Sequence, residues 1–340
     1  MKTLRSSQFL TGLLIVASLL VSSTVAMHGA EAVQFDADSA KHQSTLSPTG
    51  KSPKENSVEK LMRKMPLIFR NDLVQVVSDK PLSGEQGRQV AEITKRSYEF
   101  DRKKLGWQNE KKLSKPITVA IVSSDFMKEH ALDYGGATMG NDLIAFKDIL
   151  LTNSEYQSRI PPHELTHLLV WRKYDIEEND ALAKGWNTIW WEGTAEHNSQ
   201  CFRMQTLPWK RKYPGGRIAA TKFDEKVTAS DADWLFKLDQ PRCKLSASDK
   251  ERFGMGYPAG RQFIEFLRTR INGTGYSDAM RRIGRMIEEM ATTKKSLNDV
   301  FPHHFGTEYS DAKKQFIDFL ARTQDNPTER FEGTYLELQR

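Results

Sequence analysis

The stretch His163-Glu164-Leu165-Thr166-His167 carries the most information about both fold and chemistry. On a helix, residues four apart share a face, so both imidazoles can reach one metal ion. Glu164 lies one residue round the helix and can hold a water bound to that ion. The alternative is a buried helix whose two histidines only hydrogen-bond to their neighbours.

The residues around this motif predict a helix over 161–174. Leu165 and Leu169 belong to an apolar stripe opposite the histidines. Pro161 and Pro162 fit the first turn of a helix, where a missing backbone N–H costs nothing. We therefore expect the helix to begin at the prolines, with its N-terminus close to the metal.

A second motif, WWEGTAE at residues 190–196, supplies carboxylates. Catalytic zinc has three protein ligands and one open position, so Glu192 would complete the set begun by the histidines. Glu196 lies one turn later on the same face and can accept the other ring N–H of a ligating histidine. Two glutamates four apart also occur on solvated helix faces. Here Ile189 and two tryptophans indicate a buried helix start, where unpaired carboxylates are costly, so the motifs together predict one catalytic Zn²⁺.

The two motifs resemble those of the gluzincins, the thermolysin-like superfamily of zinc metallopeptidases. The EGTAE form at 192–196 is similar to the peptidase-MA-like group and to the catalytic domains of bacterial collagenases. The resemblance covers residues from about 70 to 290 and is specific only over the two motifs. It implies that His163, His167 and Glu192 are the zinc ligands and that Glu164 is the general base. Glu196 takes the position behind a ligand.

The resemblance also implies a catalytic tyrosine after the glutamate helix. Tyr257, within Gly256–Gly260, is our candidate for stabilising the oxyanion, and the alternative is a core tyrosine with a satisfied hydroxyl. His197 stands where the group usually has an aromatic residue. It has three possible roles, as a packing residue, a proton relay or an extra ligand. The other candidates for the role of Tyr257 are Tyr174, His197, His303 and His304.

A gluzincin also has an edge strand before the zinc helix, and this strand pairs with extended substrate. The corresponding segment here is Gly140–Phe146. An exposed strand edge can bind a peptide through backbone hydrogen bonds alone. The alternative is an interior strand.

Strand signals come first in the chain and helix signals follow, which favours an α+β fold. The resemblance implies a mixed N-terminal sheet, with its edge strand packed on the HExxH helix, and a mostly helical C-terminal subdomain. Gly135 and Gly136 are expected to break the chain, and Ser124 or Asp125 to cap a short helix. Predicted strands cover 72–77, 117–122, 142–146 and 149–151, and further helices cover 83–104, 188–204, 257–270, 277–290 and 310–322.

The N-terminus has the organisation of an export signal. Lys2 and Arg5 precede an apolar run over 9–21 and a small-residue site at Thr24-Val25-Ala26, so we predict a signal peptide over 1–26 and a secreted or periplasmic protein. An uncleaved anchor is the alternative. After the signal peptide we expect four segments. They are a flexible linker or propeptide (27–58), a β-rich subdomain with the HExxH helix (59–185), a helical subdomain with the glutamate helix (186–325) and a tail (326–340).

Composition excludes several classes of protein. The 340 residues carry 50 basic and 44 acidic side chains, a mixed surface that does not suit nucleic-acid binding. No later stretch is long and apolar enough to insert stably in a membrane after signal cleavage. The two cysteines, Cys201 and Cys243, form a possible disulfide in an oxidising compartment, and two buried thiols are the alternative.

These observations predict an exported zinc endopeptidase acting on protein or peptide substrates. One rival is an aminopeptidase or another zinc hydrolase on the same scaffold. The other is a noncatalytic cell-surface binding protein that keeps the fold. An intact Glu164 favours the enzyme, because a binding protein has no need of the base.

Overall fold

A mixed sheet occupies the first half of the folded chain. The computed structural model describes residues 57–108, 115–130, 135–139, 142–174, 188–206, 226–238, 245–272 and 276–326. Within them the sheet has five strands in the order β1-β2-β3-β5-β4. The strands are β1 (Leu67–Arg70), β2 (Val74–Ser78), β3 (Ile117–Val122), β4 (Gly136–Met139) and β5 (Leu143–Lys147).

The three central strands β2, β3 and β5 run parallel, and β1 and β4 pair antiparallel at the two ends of the strand order. The run ITVAIV of β3 is buried at every position, as expected for a central strand covered on both faces. Strands 72–77, 117–122 and 142–146 were predicted close to these positions.

Helices cover both faces of the sheet. One face buries Val76, Val119 and Phe146 in the larger core, to which α2 and α4 contribute. The other face buries Val77 and Val122 in a smaller cluster closed by residues of α1 and α3. The helices of this half are α1 (Ser57–Arg63), α2 (Gly84–Leu105), α3 (Ser124–Glu129) and α4 (Ser154–Tyr174).

The second half of the described chain is helical. Its helices are α5 (Thr188–Thr206), α6 (Ala229–Lys237), α7 (Ala247–Gly254), α8 (Gly256–Phe266), α9 (Tyr276–Thr293), α10 (Leu297–Phe305) and α11 (Tyr309–Arg322). Trp190 of α5 is fully buried here, and its indole Nε1 donates to Tyr309 Oη at 3.1 Å. The order of strands and helices confirms the predicted α+β class.

The predicted helix over 83–104 is confirmed together with its start signal. Ser83 accepts from Gln86 N, and the Gln86 side chain accepts from Ser83 N, which completes a capping box. At α3 the predicted cap was wrong, because Ser123 is the N-cap and accepts from Phe126 N.

The segment after β3 differs from the prediction in two ways. Gly136 begins strand β4 rather than breaking the chain, and β4 is the strand at the end of the order. The predicted edge segment Gly140–Phe146 instead contains most of β5, which lies between β3 and β4. Residues 149–151 form part of a 3₁₀ turn, Asp148–Leu151, and not a strand.

The helix of the HELTH motif begins earlier than predicted. Helix α4 starts at Ser154, so Pro161 and Pro162 lie inside it and its N-terminus is about two and a half turns away from His163. The side chain of Asn153 accepts hydrogen bonds from Glu155 N and Tyr156 N, which satisfies donors of the first turn. Because proline has no backbone N–H, Pro161 and Pro162 remove two backbone donors from the interior of α4.

Several predicted segments lie outside the described residues. They are the signal peptide (1–26), nearly all of the linker or propeptide (27–58), Cys243 and most of the tail (326–340). Among the described residues, no helix is long and apolar enough to cross a membrane.

Candidate metal centre

Three ligand atoms from two helices converge at the centre of the fold. Helix α4 contributes His163 and His167, whose Nε2 atoms lie 3.1 Å apart. Helix α5 contributes Glu192, whose Oε2 lies 3.3 Å from each of those nitrogens. All three side chains are buried, and no other group of the described residues brings three ligand atoms within reach of one metal ion.

The donor set fits a zinc ion. Ligand atoms about 2.0–2.1 Å from a tetrahedral ion lie about 3.3 Å from each other, which is close to the three distances found here. Two imidazole nitrogens and one carboxylate oxygen form a known catalytic zinc set. Glu192 Oε2 is buried, and neither imidazole nitrogen at 3.3 Å meets hydrogen-bond geometry with it. Because a buried carboxylate oxygen is costly without a partner, a cation at this position would stabilise it.

Charge at the centre is shared between the histidines and the carboxylates. Burial lowers the pKa of His163, but Glu192 and Glu196 outweigh burial and raise it to about 10. Burial raises the pKa of Glu192, but His167 and His163 outweigh burial and lower it to about 2. The carboxylate is therefore ionised, and a zinc ion would replace the proton that His163 otherwise holds.

Glu196 lies behind His163, as its placement one turn after Glu192 predicted. Its Oε2 is 3.5 Å from His163 Nδ1, and its Oε1 accepts from Arg159 Nη2 at 3.2 Å. Burial raises the pKa of Glu196, but the positive charge of Arg159 and the neighbouring His163 lower it overall. An ionised Glu196 favours a proton on Nδ1, which leaves the lone pair of His163 Nε2 for a metal.

Glu164 lies next to the candidate ligands and is held by strand β4. The hydroxyl of Thr138 in β4 is 2.9 Å from Glu164 Oε2 and 2.8 Å from the Glu164 carbonyl oxygen. Strand and helix approach closely here, since a Cβ on Gly136 would lie 2.9 Å from Glu164 Cγ. Thr138 and Gly136 therefore position the carboxylate that the sequence assigned as the base.

Two aromatic rings line the histidines. Tyr257, in the first turn of α8, stacks beside His163 with ring centroids 5.8 Å apart. Trp191 stacks on His167 at 4.5 Å with an interplanar angle of 14°. The half-buried ring of Tyr257 therefore lies beside the candidate ligand His163, and Trp191 restricts the orientation of the His167 ring.

Helix α8 reaches the site because it crosses α5 at two glycines. A Cβ on Gly193 would lie 2.5 Å from the carbonyl carbon of Gly260, so neither position has room for a side chain. Gly260 is one turn after Tyr257 in α8, and Gly193 follows Glu192 directly in α5. The glycine of the EGTAE motif therefore brings the tyrosine helix against the glutamate helix.

Sequence reasoning missed a buried polar group under the centre. The side-chain amide of Asn198 donates to Asp101 Oδ1 at 2.6 Å and lies 3.0 Å from Thr166 Oγ1. These contacts join α2, α5 and α4 directly behind the histidine helix. Asn198 lies six residues after Glu192 on α5, but Asp101 gives no local signal because its partner is 97 residues away.

The other candidate residues have different surroundings. His197 is buried, and burial lowers its pKa to about 3 in spite of the nearby Glu265. His303 and His304 lie on helix α10, and both ring systems contact the carboxylate of Glu289. The side chain of Tyr174 lies outside the described residues, as does Cys243, the proposed disulfide partner of the buried Cys201.

No protein-family model, curated protein or solved structure matches this chain.

Proposed function

We propose that the protein is an exported zinc metallopeptidase of the gluzincin type that hydrolyses peptide bonds. The triangle of ligand atoms from His163, His167 and Glu192 is the observation that carries this proposal. Glu164 supports it, because a carboxylate held beside a metal set is the group that hydrolysis needs and that a binding protein does not.

A gluzincin arrangement is supported by the order of elements around the site. The strand at the end of the sheet order, β4, runs antiparallel to its neighbour and packs on the HExxH helix α4. Helix α5 then crosses α4 with Glu192 facing the histidines. These are the features that the resemblance of the two motifs implies.

His163, His167 and Glu192 would hold the zinc ion, which would supply Lewis acidity towards the scissile carbonyl and the attacking water. The carboxylate of Glu164 accepts the proton from that water and transfers it to the departing nitrogen. The phenol of Tyr257 donates a hydrogen bond to the oxyanion as negative charge develops. Arg159 and Glu196 hold the His163 ring, and Thr138 holds Glu164.

An extended peptide is the substrate that the site favours. In the described part of the chain, β4 ends the strand order and pairs on one side only, with β5. Its Thr138 contacts Glu164, so a peptide paired along the other side would pass the proposed base. Binding through backbone groups along a strand does not require a free amino terminus, which favours an endopeptidase over an aminopeptidase.

Export remains part of the proposal on the strength of the N-terminal 26 residues. Export would place the catalytic part in a secreted or periplasmic location, where extended and unfolded proteins are accessible substrates.

The variant Glu164→Gln tests the proposed activity. It keeps the size and hydrogen bonding of the side chain but cannot accept a proton, so turnover should fall by at least about a hundredfold. The measurement is cleavage of unfolded casein and of aminoacyl reporters by zinc-loaded protein. Glu155→Gln, in the first turn of α4, is the matched control and should keep wild-type turnover.

Full activity of Glu164→Gln would remove the peptidase mechanism. Cleavage of aminoacyl reporters without cleavage of casein would identify an aminopeptidase. A wild-type protein that binds zinc but cleaves neither substrate would support the noncatalytic alternative.

A further inference from the structure

We propose that Arg159 is a positioning residue of the metal centre, which acts through Glu196 to fix the ring of His163. The inference rests on the proposed function, because it concerns the same metal site. Arg159 lies one helical turn before His163 on α4 and therefore on the same face. A helix that began at Pro161 would not contain it.

The contacts form a line from the guanidinium to the ligand. Arg159 Nη2 donates to Glu196 Oε1 at 3.2 Å, and Glu196 Oε2 is 3.5 Å from His163 Nδ1. The opposite ring atom, His163 Nε2, faces Glu192 and His167. One oxygen of the Glu196 carboxylate thus contacts Arg159, and the other lies beside His163.

The backbone next to Arg159 explains why such a tie is needed. Pro161 and Pro162 have no N–H, so the carbonyls four residues before them, at Gln157 and Ser158, lack their usual helical donors. This weakened turn connects Arg159 to His163. Without an external support, the direction of the His163 side chain would depend on a helix turn with two missing hydrogen bonds.

Helix α5 supplies that support through two hydrogen bonds to Arg159. The hydroxyl of the buried Ser199 donates to the carbonyl oxygen of Arg159 at 2.8 Å, and Glu196 accepts from its guanidinium. Ser199 and Glu196 are three residues apart on α5, so they lie on one face. The double-proline turn is therefore fastened to the same helix that carries Glu192.

A second ion pair on the same two helices provides a matched control. Arg203 of α5 pairs with Glu155 of α4, so it also joins these helices. This pair lies farther along both helices, since Glu155 is eight residues before His163 and Arg203 is eleven residues after Glu192. If arginine pairs here only hold α4 and α5 together, removing either arginine should affect the metal equally. If Arg159 acts through Glu196, the removal of Arg159 should affect the metal and the removal of Arg203 should not.

The experiment measures zinc affinity by competition with a chromophoric chelator in the full exported chain. The variants are Arg159→Gln, Arg159→Lys, Glu196→Gln, the double variant of Arg159→Gln with Glu196→Gln, and the control Arg203→Gln. Circular dichroism and thermal melting establish that each variant is folded. The visible spectrum of the cobalt-substituted protein reports the geometry of the ligands.

We expect Arg159→Gln to weaken zinc binding by about tenfold, and Glu196→Gln by about ten- to a hundredfold, as for other residues that orient a ligand. Arg159→Lys, which keeps the charge, should recover part of the loss. The double variant should bind zinc no more weakly than Glu196→Gln alone, because both changes break one line of contacts. Arg203→Gln should stay within about twofold of wild type, with an unchanged cobalt spectrum.

Two results would overturn the proposal while leaving the metal site intact. One is wild-type zinc affinity in Arg159→Gln. The other is a double variant that binds zinc more weakly than Glu196→Gln by the same factor that Arg159→Gln causes on its own. An equal loss in Arg203→Gln would show a general effect on helix packing and would also overturn it. Failure of the wild-type protein to bind zinc would instead reject the proposed function, and this inference with it.

Discussion

At the residue scale, Glu164 and Glu192 are both buried beside the same histidines, yet their surroundings suit them to different chemistry. Glu192 Oε2 lies 3.3 Å from both Nε2 atoms, which is the position of a third ligand. Glu164 Oε2 instead contacts the hydroxyl of Thr138. A carboxylate held by a hydroxyl beside a metal set remains available to accept a proton.

Tyr257 is the least constrained of the assigned catalytic residues, and its phenol gives a separate prediction. Tyr257→Phe should lower kcat by about ten- to a thousandfold, the usual effect of losing one oxyanion donor, and should leave zinc bound. Steady-state kinetics and zinc analysis check this. Tyr156→Phe is the control. It also removes a phenol hydroxyl, but one that accepts a hydrogen bond from Lys147 N. Equal kcat in Tyr257→Phe and wild type would assign the oxyanion to another group.

Asp101 gives a pH-dependent prediction. Burial raises its pKa well above the ordinary value, in spite of contacts with Thr166 and Asn198. The folded state therefore keeps a proton that the unfolded chain releases near pH ~3.9. Because the folded state binds more protons above that pH, Asp101 makes the free energy of unfolding fall as pH rises, until its folded pKa is passed.

Asp101→Asn removes this titration while keeping the shape of the side chain. The variant should therefore become more stable relative to wild type as pH rises above about 4. Thermal melting of the zinc-free proteins at several pH values measures the difference, with the exposed Asp318→Asn as the control. A difference in Tm that stays constant across this range would contradict the assignment.

The candidate ligands could be grouped from the sequence because helical spacing is local. His163 and His167 are four residues apart, and Glu192 and Glu196 repeat that spacing on a second helix. Thr138 was not found, because its contact with Glu164 joins residues 26 positions apart through a strand that begins at a glycine.

At the element scale, the start of α4 shows where a local rule fails. Proline is favoured in the first turn, and the sequence therefore predicted a helix from Pro161. In the structure Asn153 caps a helix from Ser154, and packing between the sheet and α5 keeps the proline turn helical. Arg159 was missed for this reason, since the predicted helix did not include it.

The crossing of α5 and α8 depends on glycine, which leads to a prediction for Gly193→Ala. The new methyl group would meet backbone atoms of Gly260, which cannot move aside as a side chain can. We expect a loss of about 1–3 kcal/mol in the free energy of unfolding, typical of overpacking. Turnover should also fall, because Tyr257 lies one turn from the displaced contact.

Thermal melting and steady-state kinetics measure these two effects. Gly84→Ala is the matched control, because a Cβ at that helical position would have no atom within 4 Å. Equal stability of Gly193→Ala and wild type would mean that the two helices can separate without cost, and the close crossing would then have no role in placing Tyr257.

At the scale of the whole molecule, the α+β class followed from the order of elements, since every predicted strand ends before Ser154 and only helices are predicted after it. The position of each strand within the sheet did not follow, because strand order is set by long-range pairing. Thus β5, with its apolar LIAFK, is interior and the short β4 lies at the end of the order. The strand that we propose to bind peptide is therefore β4, at 136–139, and not the predicted segment 140–146.

The most direct test of the central claim is the zinc content of purified protein after dialysis, measured by atomic emission for wild type, Glu192→Ala and Glu164→Gln. Wild type and Glu164→Gln should each retain about one zinc ion per chain, as a single catalytic site does. Glu192→Ala should retain almost none, because two histidines are too few for a stable tetrahedral site. Zinc-free wild type, or Glu192→Ala that binds zinc as tightly as wild type, would contradict the assignment of His163, His167 and Glu192 as the metal ligands.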